Sequence, residues 1–424
     1  MRVRLETLGC RLNTAECEQL GRQFAAAGCH VVSAGEPFDA CVVNTCAVTA
    51  IAGRKSRQLV RRLQNEQPDA LIVVTGCYAE LEPQRAADLG AALVIGNGDK
   101  DVIVERVLAR VAPAATATPT APPGRRTRAF VKVQDGCDNA CTFCVVRLAR
   151  GRARSRPLDA VLAEVRTLVE RGYREVVLTG VHLGAYGHDR GERRGLFRLV
   201  QRLLAETDVT RLRLSSLEPW DLDGDFFDLW QDRRLGRSLH LPLQSGCAAT
   251  LRRMGRRTTP DAYAALVTEA RRRIPDLALT TDVIVGFPGE TDAEFEASRE
   301  FIAAQEFAHL HIFRYSPRSR TPAARLPDPV PAAIAAARSR QLHAVGHAME
   351  RAFRRRFVGR TLDVLWETGT RTAGGWRWSG LTDNGLRVVT ELDATCLRNV
   401  ITPTRLVADG ADGLQGEVVM WEEP

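Results

Sequence analysis

The sequence predicts an α/β protein in three parts: an N-terminal parallel-sheet domain, a central partial (β/α) barrel and a small C-terminal antiparallel β-barrel. Three observations carry this. Apolar runs of strand length alternate with helical patterns over residues 1–110 and again over 125–330. Such alternation builds parallel sheets with right-handed crossovers. A Pro/Ala/Thr-rich stretch at 111–124 separates the two alternations and cannot build a core, so it reads as a linker. From residue 357 the pattern changes to short strands punctuated by Gly and Asp, the habit of a small β-barrel.

In the first part, residues 2–8, 39–44 and 70–75 read as strands and 16–27 and 53–66 as helices. In the second, strands are expected at 129–133, 175–179, 211–215, 238–243, 277–285 and 309–313. Helices at 158–171, 196–206, 260–273 and 292–305 separate most of them. Six βα units suit a curved, partial barrel rather than a complete eightfold one. Residues 330–356 read as one long helix that ends this part. In the third part, 357–424, strands are expected at 362–366, 376–379, 387–390 and 417–420.

Composition narrows the function. With 45% hydrophobic and 26% charged residues in 424, the chain is neither collagen, coiled coil nor bulk disorder. Its aliphatic runs are too short to span a bilayer, and Arg2, Arg4 and Glu6 leave no signal-peptide core. The expectation is a cytoplasmic protein without membrane contact. The net charge is +8, and Lys55, Lys100 and Lys132 are the only lysines. Residues 1–120 carry 13 basic and 13 acidic side chains and residues 351–424 ten of each, so the whole excess lies between them. A basic middle suits a polyanionic partner.

Eleven cysteines are the main chemical signal. In a reducing compartment they stay thiols, available as metal ligands. Cys137, Cys141 and Cys144 form C-x3-C-x2-C directly after the first barrel strand. A loop at the carboxyl end of a barrel strand is where that scaffold places chemistry. Structural zinc takes four ligands, and no fourth Cys or His lies near. Three thiolates instead leave one iron of a four-iron cluster open to a small molecule. A second trio, Cys10, Cys46 and Cys77, follows the three N-terminal strands one by one. Parallel strands bring their carboxyl ends to one sheet edge, where ligands bind.

The loop GCDNACTFC, with Phe143 before its last cysteine, resembles the signature of the radical S-adenosylmethionine (SAM) superfamily. That resemblance implies SAM on the open iron of a 4Fe-4S cluster and a 5′-deoxyadenosyl radical that takes hydrogen from an unactivated carbon. Nearly the whole chain resembles the radical SAM methylthiotransferases, and within them the MtaB-type branch. The likeness rests on TLGCRLN (7–13), NTCAVT (44–49), TGCYAE (75–80), QDGCDNACTFC (134–144), SSLEP (215–219), LQSGC (243–247), DVIVGFPGET (282–291) and YSPRSRTPAA (315–324). It implies two 4Fe-4S clusters, on Cys10, Cys46, Cys77 and on Cys137, Cys141, Cys144. It further implies a TRAM-like C-terminal barrel and methylthio transfer to C2 of N6-threonylcarbamoyladenosine in tRNA. The partners would be the anticodon stem-loop and an electron-donor protein. Arg147 and Leu148 depart from the family, which commonly shows Pro and an aromatic there, and this bears on substrate contact.

Phe143 is placed beside the cluster by its motif, as a contact to adenine. Thr179, Gly180, Glu218, Gln244 and Ser245 follow barrel strands and are candidates to hold SAM. Arg150, Arg152, Arg154 and Arg156 recur at every second residue and would form a phosphate rail if extended. His309 and His311 share a strand face and are expected to be packed rather than metal-bound. Cys17, Cys29, Cys41, Cys247 and Cys396 read as small hydrophobes. Asp221, Asp223, Asp225 and Asp228 read as a solvated loop. The alternatives are an isopentenyladenosine-type tRNA enzyme, a ribosomal-protein aspartate methylthiotransferase, an iron–sulfur electron carrier or RNA-binding protein, and a zinc protein.

Overall fold

A computed structural model describes residues 1–111, 126–392 and 396–419. From residue 112 on, the expected linker lies outside the described residues. The N-terminal sheet holds β1 (Arg2–Thr7), β2 (His30–Val32), β3 (Ala40–Thr45), β4 (Leu71–Gly76) and β5 (Leu93–Ile95), all parallel, in the order β2-β1-β3-β4-β5. β3 is buried along its whole length, which is why it reads as a continuous apolar run. β2 and β5 are three residues each, too short to show a period.

Helix α1 (Arg11–Ala26) begins immediately after Cys10, not at residue 16. Its first turns bury Asn13 and Glu16 beside Leu12 and Ala15. That mixed face meets the central barrel, so hydrophobic periodicity alone could not show it. α2 (Ala50–Glu66) starts where Thr49 accepts a hydrogen bond from Ala52 N.

The central part has six parallel strands in two sheets. β6 (Arg128–Lys132), β7 (Glu175–Thr179) and β8 (Arg211–Leu214) run in the order β8-β7-β6. β9 (Ser238–His240), β10 (Ala278–Val285) and β11 (His309–Arg314) form the other. Bridges Leu212–Leu235 and Ser216–His240 join the two into one curved wall. Helices α3 (Leu158–Glu170), α4 (Gly195–Glu206), α5 (Pro260–Arg273) and α6 (Asp292–Ala304) cover its outer side. Leu212, Leu214, Leu239, Leu279 and Leu310 point into that helix-packed core. Because strand side chains alternate, Arg211, Arg213, His240, Asp282 and His311 line the inner face.

The long helix α7 (Ala332–Arg355) lies along β11 and leads to the C-terminal domain. There β12 (Thr361–Thr372), β13 (Gly375–Thr382), β14 (Arg387–Leu392), β15 (Ile401–Gly410) and β16 (Gly413–Val418) close a five-stranded barrel. β15 escaped the sequence reading because its polar and charged residues, with Pro403 inside, mask a strand. The small barrel sits under the amino ends of the central strands. Arg213 Nη2 donates to Thr382 O at 3.3 Å, and Arg237 pairs with Asp383 at 2.5 Å. Among the described residues no helix is long and apolar enough to cross a membrane.

Candidate active site

The two cysteine trios occupy the carboxyl edges of the two parallel sheets. In the N-terminal sheet, Thr7 pairs with Asn44, and Thr45 with Gly76, so the three strands end level. Cys46 and Cys77 follow at once and Cys10 after a short turn. The approach is close: a Cβ placed on Gly9 would lie 2.7 Å from Cys46 Cβ. Gly76 has φ +93°, and a Cβ there would run into Asn44 Oδ1 at 2.5 Å and Thr45 N at 2.6 Å. Gly76→Ala is therefore expected to displace Cys77. The check is thiol labelling, which should reach Cys77 in the variant although it is buried in the wild type.

Burial raises the Cys46 thiol to about 11, and the neighbouring Cys77 and Cys10 add to the shift. Cys77 is raised by burial, against the opposing charges of Arg150 and Lys100. Buried thiols that repel each other as thiolates need compensating positive charge, which a bound metal would supply.

The second trio sits on the loop after β6. Cys137 N donates to Gly151 O at 3.1 Å and Thr142 N to Met254 O at 2.9 Å, which pins both ends of the loop. Burial pushes the Cys144 thiol up to about 12 and raises Cys141. Arg256 Nη1 lies 3.7 Å from Cys141 Sγ. The same guanidinium holds Glu218 at 2.6 and 3.2 Å and covers the Trp220 ring at 4.6 Å. His182 Nε2 is 2.5 Å from Asp221 Oδ2. Burial works against the charged ring, but Asp221 and Cys137 outweigh it and raise His182 to about 10. Arg256, Trp220, His182 and Asp221 were not legible in the sequence as site residues, since no motif or spacing marks any of them. Asp221 in particular is a partner of His182, not part of a solvated loop.

The other candidates divide. Phe143 packs edge-on to Phe287, with ring centroids 6.3 Å apart, and so ties the loop to the turn after β10. Gly180 packs tightly on Gln134, whose amide also donates to Asp135 O and Gly136 O within the loop. Gln244 holds a left-handed backbone (φ 74°) at the same rim and donates its N–H to Asp282 O at 2.8 Å. Thr179 and Ser245 are each 2% exposed. Ser245 Oγ accepts from Cys247 N at 3.2 Å, so it braces the turn that enters a short helix.

Arg150 does not belong to a phosphate rail. It is 4% exposed, because it is the centre of a buried charge cluster that joins the two cysteine sites. Its guanidinium reaches Glu16 Oε1 at 2.9 Å, Asp135 Oδ1 at 3.0 Å and Asn13 Oδ1 at 2.6 Å. Lys100 and Lys132 also pair with Glu16. Arg156 is half-buried against Glu164 at 2.6 Å, whereas Arg152 and Arg154 are exposed. Arg147 and Leu148 are exposed on the turn of helix that follows Cys144. Ala149, in that same turn, packs with Cys77, Tyr78 and Ala79, and its carbonyl accepts from Asn97 Nδ2 at 2.6 Å. The two trios thus share a wall.

Three cations against two carboxylates leave this wall with positive charge beside Cys77. Burial opposes ionisation of Glu16, but Lys100, Arg150 and Lys132 hold it well below the ordinary 4.5. A depressed carboxylate stabilises the fold above its unfolded value and loses that contribution as pH falls through its folded value. Acidification below about 4.5 should thus progressively weaken the wall, and Glu16→Gln should flatten that dependence in thermal unfolding followed against pH.

Residues 131–302 match the radical SAM superfamily and residues 2–96 the uncharacterized protein family UPF0004. A threonylcarbamoyladenosine tRNA methylthiotransferase MtaB of Thermotoga maritima is 37% identical over 379 residues, 86% of this chain and 86% of the relative. The chain belongs to the radical SAM methylthiotransferase family. A Bacillus subtilis relative with the same name is 34% identical over 91% of this chain and 90% of its own. A tRNA-2-methylthio-N(6)-dimethylallyladenosine synthase of Novosphingobium aromaticivorans is 35% identical over 88% of each. Among solved structures, the radical SAM methyltransferase TsrM of Kitasatospora setae has a TM-score of 0.54 at 16% identity, covering 76% of this chain and 77% of its own. At that identity the likeness shows fold alone. As a radical SAM methylthiotransferase, the protein uses SAM and a 4Fe-4S cluster to transfer a methylthio group.

Proposed function

We propose that this protein adds a methylthio group to C2 of N6-threonylcarbamoyladenosine next to the anticodon of tRNA. The observation that carries this reading is the shared wall: two three-thiol sites, on separate parallel sheets, joined through Arg150, Glu16 and Ala149. Methylthio transfer needs a sulfur source and a radical source within reach of one carbon. Cys137, Cys141 and Cys144 would hold the SAM-binding cluster, and Cys10, Cys46 and Cys77 a second 4Fe-4S cluster. When bound, these groups supply electron transfer to SAM, the 5′-deoxyadenosyl radical and the sulfur chemistry.

The chain's own residues fit such groups. Each trio offers three thiols and, among the described residues, no fourth, as an open-sited cluster requires. Ser215 Oγ and Trp220 Nε1 are buried without a hydrogen-bond partner among the described residues, which leaves polar capacity beside Glu218 and Arg256. Glu218, Gly180, Gln244 and Phe143 would position SAM at this rim. The hydrogen bonds of Gln134 and Thr142 hold the loop rigid, so that binding costs little ordering.

The inner face of the barrel favours a substrate with an anionic arm. Arg11 projects from the start of α1 and forms no ion pair or hydrogen bond among the described residues. Burial, with repulsion from Arg213 and Arg128 that outweighs the attraction of Glu175, lowers its pKa. A threonylcarbamoyl group ends in a carboxylate that would relieve this repulsion, whereas an isopentenyl group would not. Arg152 and Arg154, exposed beside the loop, would meet phosphates of the anticodon stem-loop. An electron-donor protein and a cytoplasmic setting complete the proposal.

The test uses anaerobically reconstituted protein, reductant, SAM and tRNA carrying either modified adenosine. The expected products are 5′-deoxyadenosine and a 2-methylthio nucleoside from the threonylcarbamoyl tRNA. Product from the isopentenyl tRNA alone would assign the other substrate. Failure of reduced, cluster-loaded protein to cleave SAM would favour an electron carrier.

A further inference from the structure

Five of the eight histidines, His240, His309, His311, His343 and His347, gather about β11 and the α7 face beside it. Within this group, His240, Asp282 and His311 stand on the neighbouring strands β9, β10 and β11. Register sets Asp282 opposite His311, and His240 opposite Thr280. One donor atom from each side chain lies within 4.8 Å of the other two. Leu239, Leu279 and Leu310 turn outward to the core, so the trio faces the barrel interior.

His240 is held between two partners. Its Nδ1 lies 2.9 Å from Thr280 Oγ1 and its Nε2 3.4 Å from Asp282 Oδ1. A proton between His240 and Asp282 would serve that pair, but it gives no reason for a third donor to converge on the same point. His311 does converge: its ring centroid is 5.5 Å from that of His240. It is backed at 4.8 Å by His309, which bonds Glu350 at 3.2 Å.

We propose that His240, Asp282 and His311 form a mononuclear site for a divalent first-row cation, separate from all six cluster cysteines. Two imidazoles and one carboxylate are a donor set that zinc and cobalt accept, with at least one coordination position left open. Bonds of about 2.0–2.1 Å around a tetrahedral ion set donor atoms roughly 3.3 Å apart. The His240–Asp282 separation already meets that spacing, and a His311 nitrogen lies within 4.8 Å of both partners. The open position faces the barrel interior, where an oxygen ligand can reach it. Thr280 orients one ligand and His309 supports another, as outer partners do in metal sites.

The experiment adds zinc or cobalt to cluster-loaded protein under anaerobic conditions and measures bound metal after gel filtration. One equivalent per chain is expected beyond the cluster iron. His311→Ala and Asp282→Asn should each weaken binding by at least about tenfold, with iron and sulfide unchanged. The cobalt-loaded protein should lack thiolate-to-cobalt charge-transfer absorption. If a variant fails to keep its clusters, pulsed electron paramagnetic resonance of copper-loaded wild-type protein should still show two imidazole nitrogens. Equal binding in wild type and folded variants, thiolate bands with cobalt, no imidazole coupling, or no binding at all would each overturn the proposal.

Discussion

Cys141→Ala abolishes 5′-deoxyadenosine formation while the N-terminal site keeps its iron: this is the expected result when the purified variant is reduced with SAM. Cys141 lies in the middle of its trio, beside the guanidinium of Arg256. Two remaining thiols cannot hold the open-sited cluster on which SAM depends. Even outer partners of metal ligands cost 10–100-fold when removed, so loss of a ligand should exceed about a hundredfold. The N-terminal trio stands on other strands, and the second cluster proposed for it would need none of these atoms. With the second cluster as proposed, iron should drop to about half, the share of one 4Fe-4S cluster in two. Loss of iron from both sites would show that they do not assemble independently.

Arg150→Met is expected to have the largest effect on stability of any single charge change. The side chain is buried, and among the described residues it alone touches Glu16, Asp135 and Asn13 together. Removing it strips two buried carboxylates of a shared cation, a class of change that costs about 3–5 kcal/mol. The cost falls at the junction of the N-terminal sheet and the central barrel, since Glu16 belongs to the first and Asp135 to the second. Thermal unfolding should accordingly shift downward, and the two cysteine sites should bleach at different rates in oxygen. Arg150→Lys should recover little, because one ammonium cannot match a planar fork that reaches three partners. An unchanged unfolding midpoint in Arg150→Met would refute the bridging role.

Much of the site was legible without coordinates, and for a physical reason. A thiol just beyond a buried strand is carried to the sheet's carboxyl edge by topology alone, so Cys10, Cys46 and Cys77 could be grouped from their positions after three strands. Cys137, Cys141 and Cys144 are closer still, since their spacing fixes a shared loop. Arg150 was misread for the opposite reason. An alternating run of arginines looks like one exposed face, but the turn of helix at Val146–Arg150 breaks the extended chain and drives this member inward.

What the sequence by itself determined is the order of three folding units, two cysteine trios and the chemistry that such trios support. Local patterns suffice for these, because strand ends and short spacings are set by neighbours along the chain. Only the tertiary structure decided which charges meet across domains and which side chains line the barrel. Glu16 and Arg150, or His240, Asp282 and His311, are brought together by the curvature of the sheet and the docking of α1, contacts between residues far apart in sequence that no local period records.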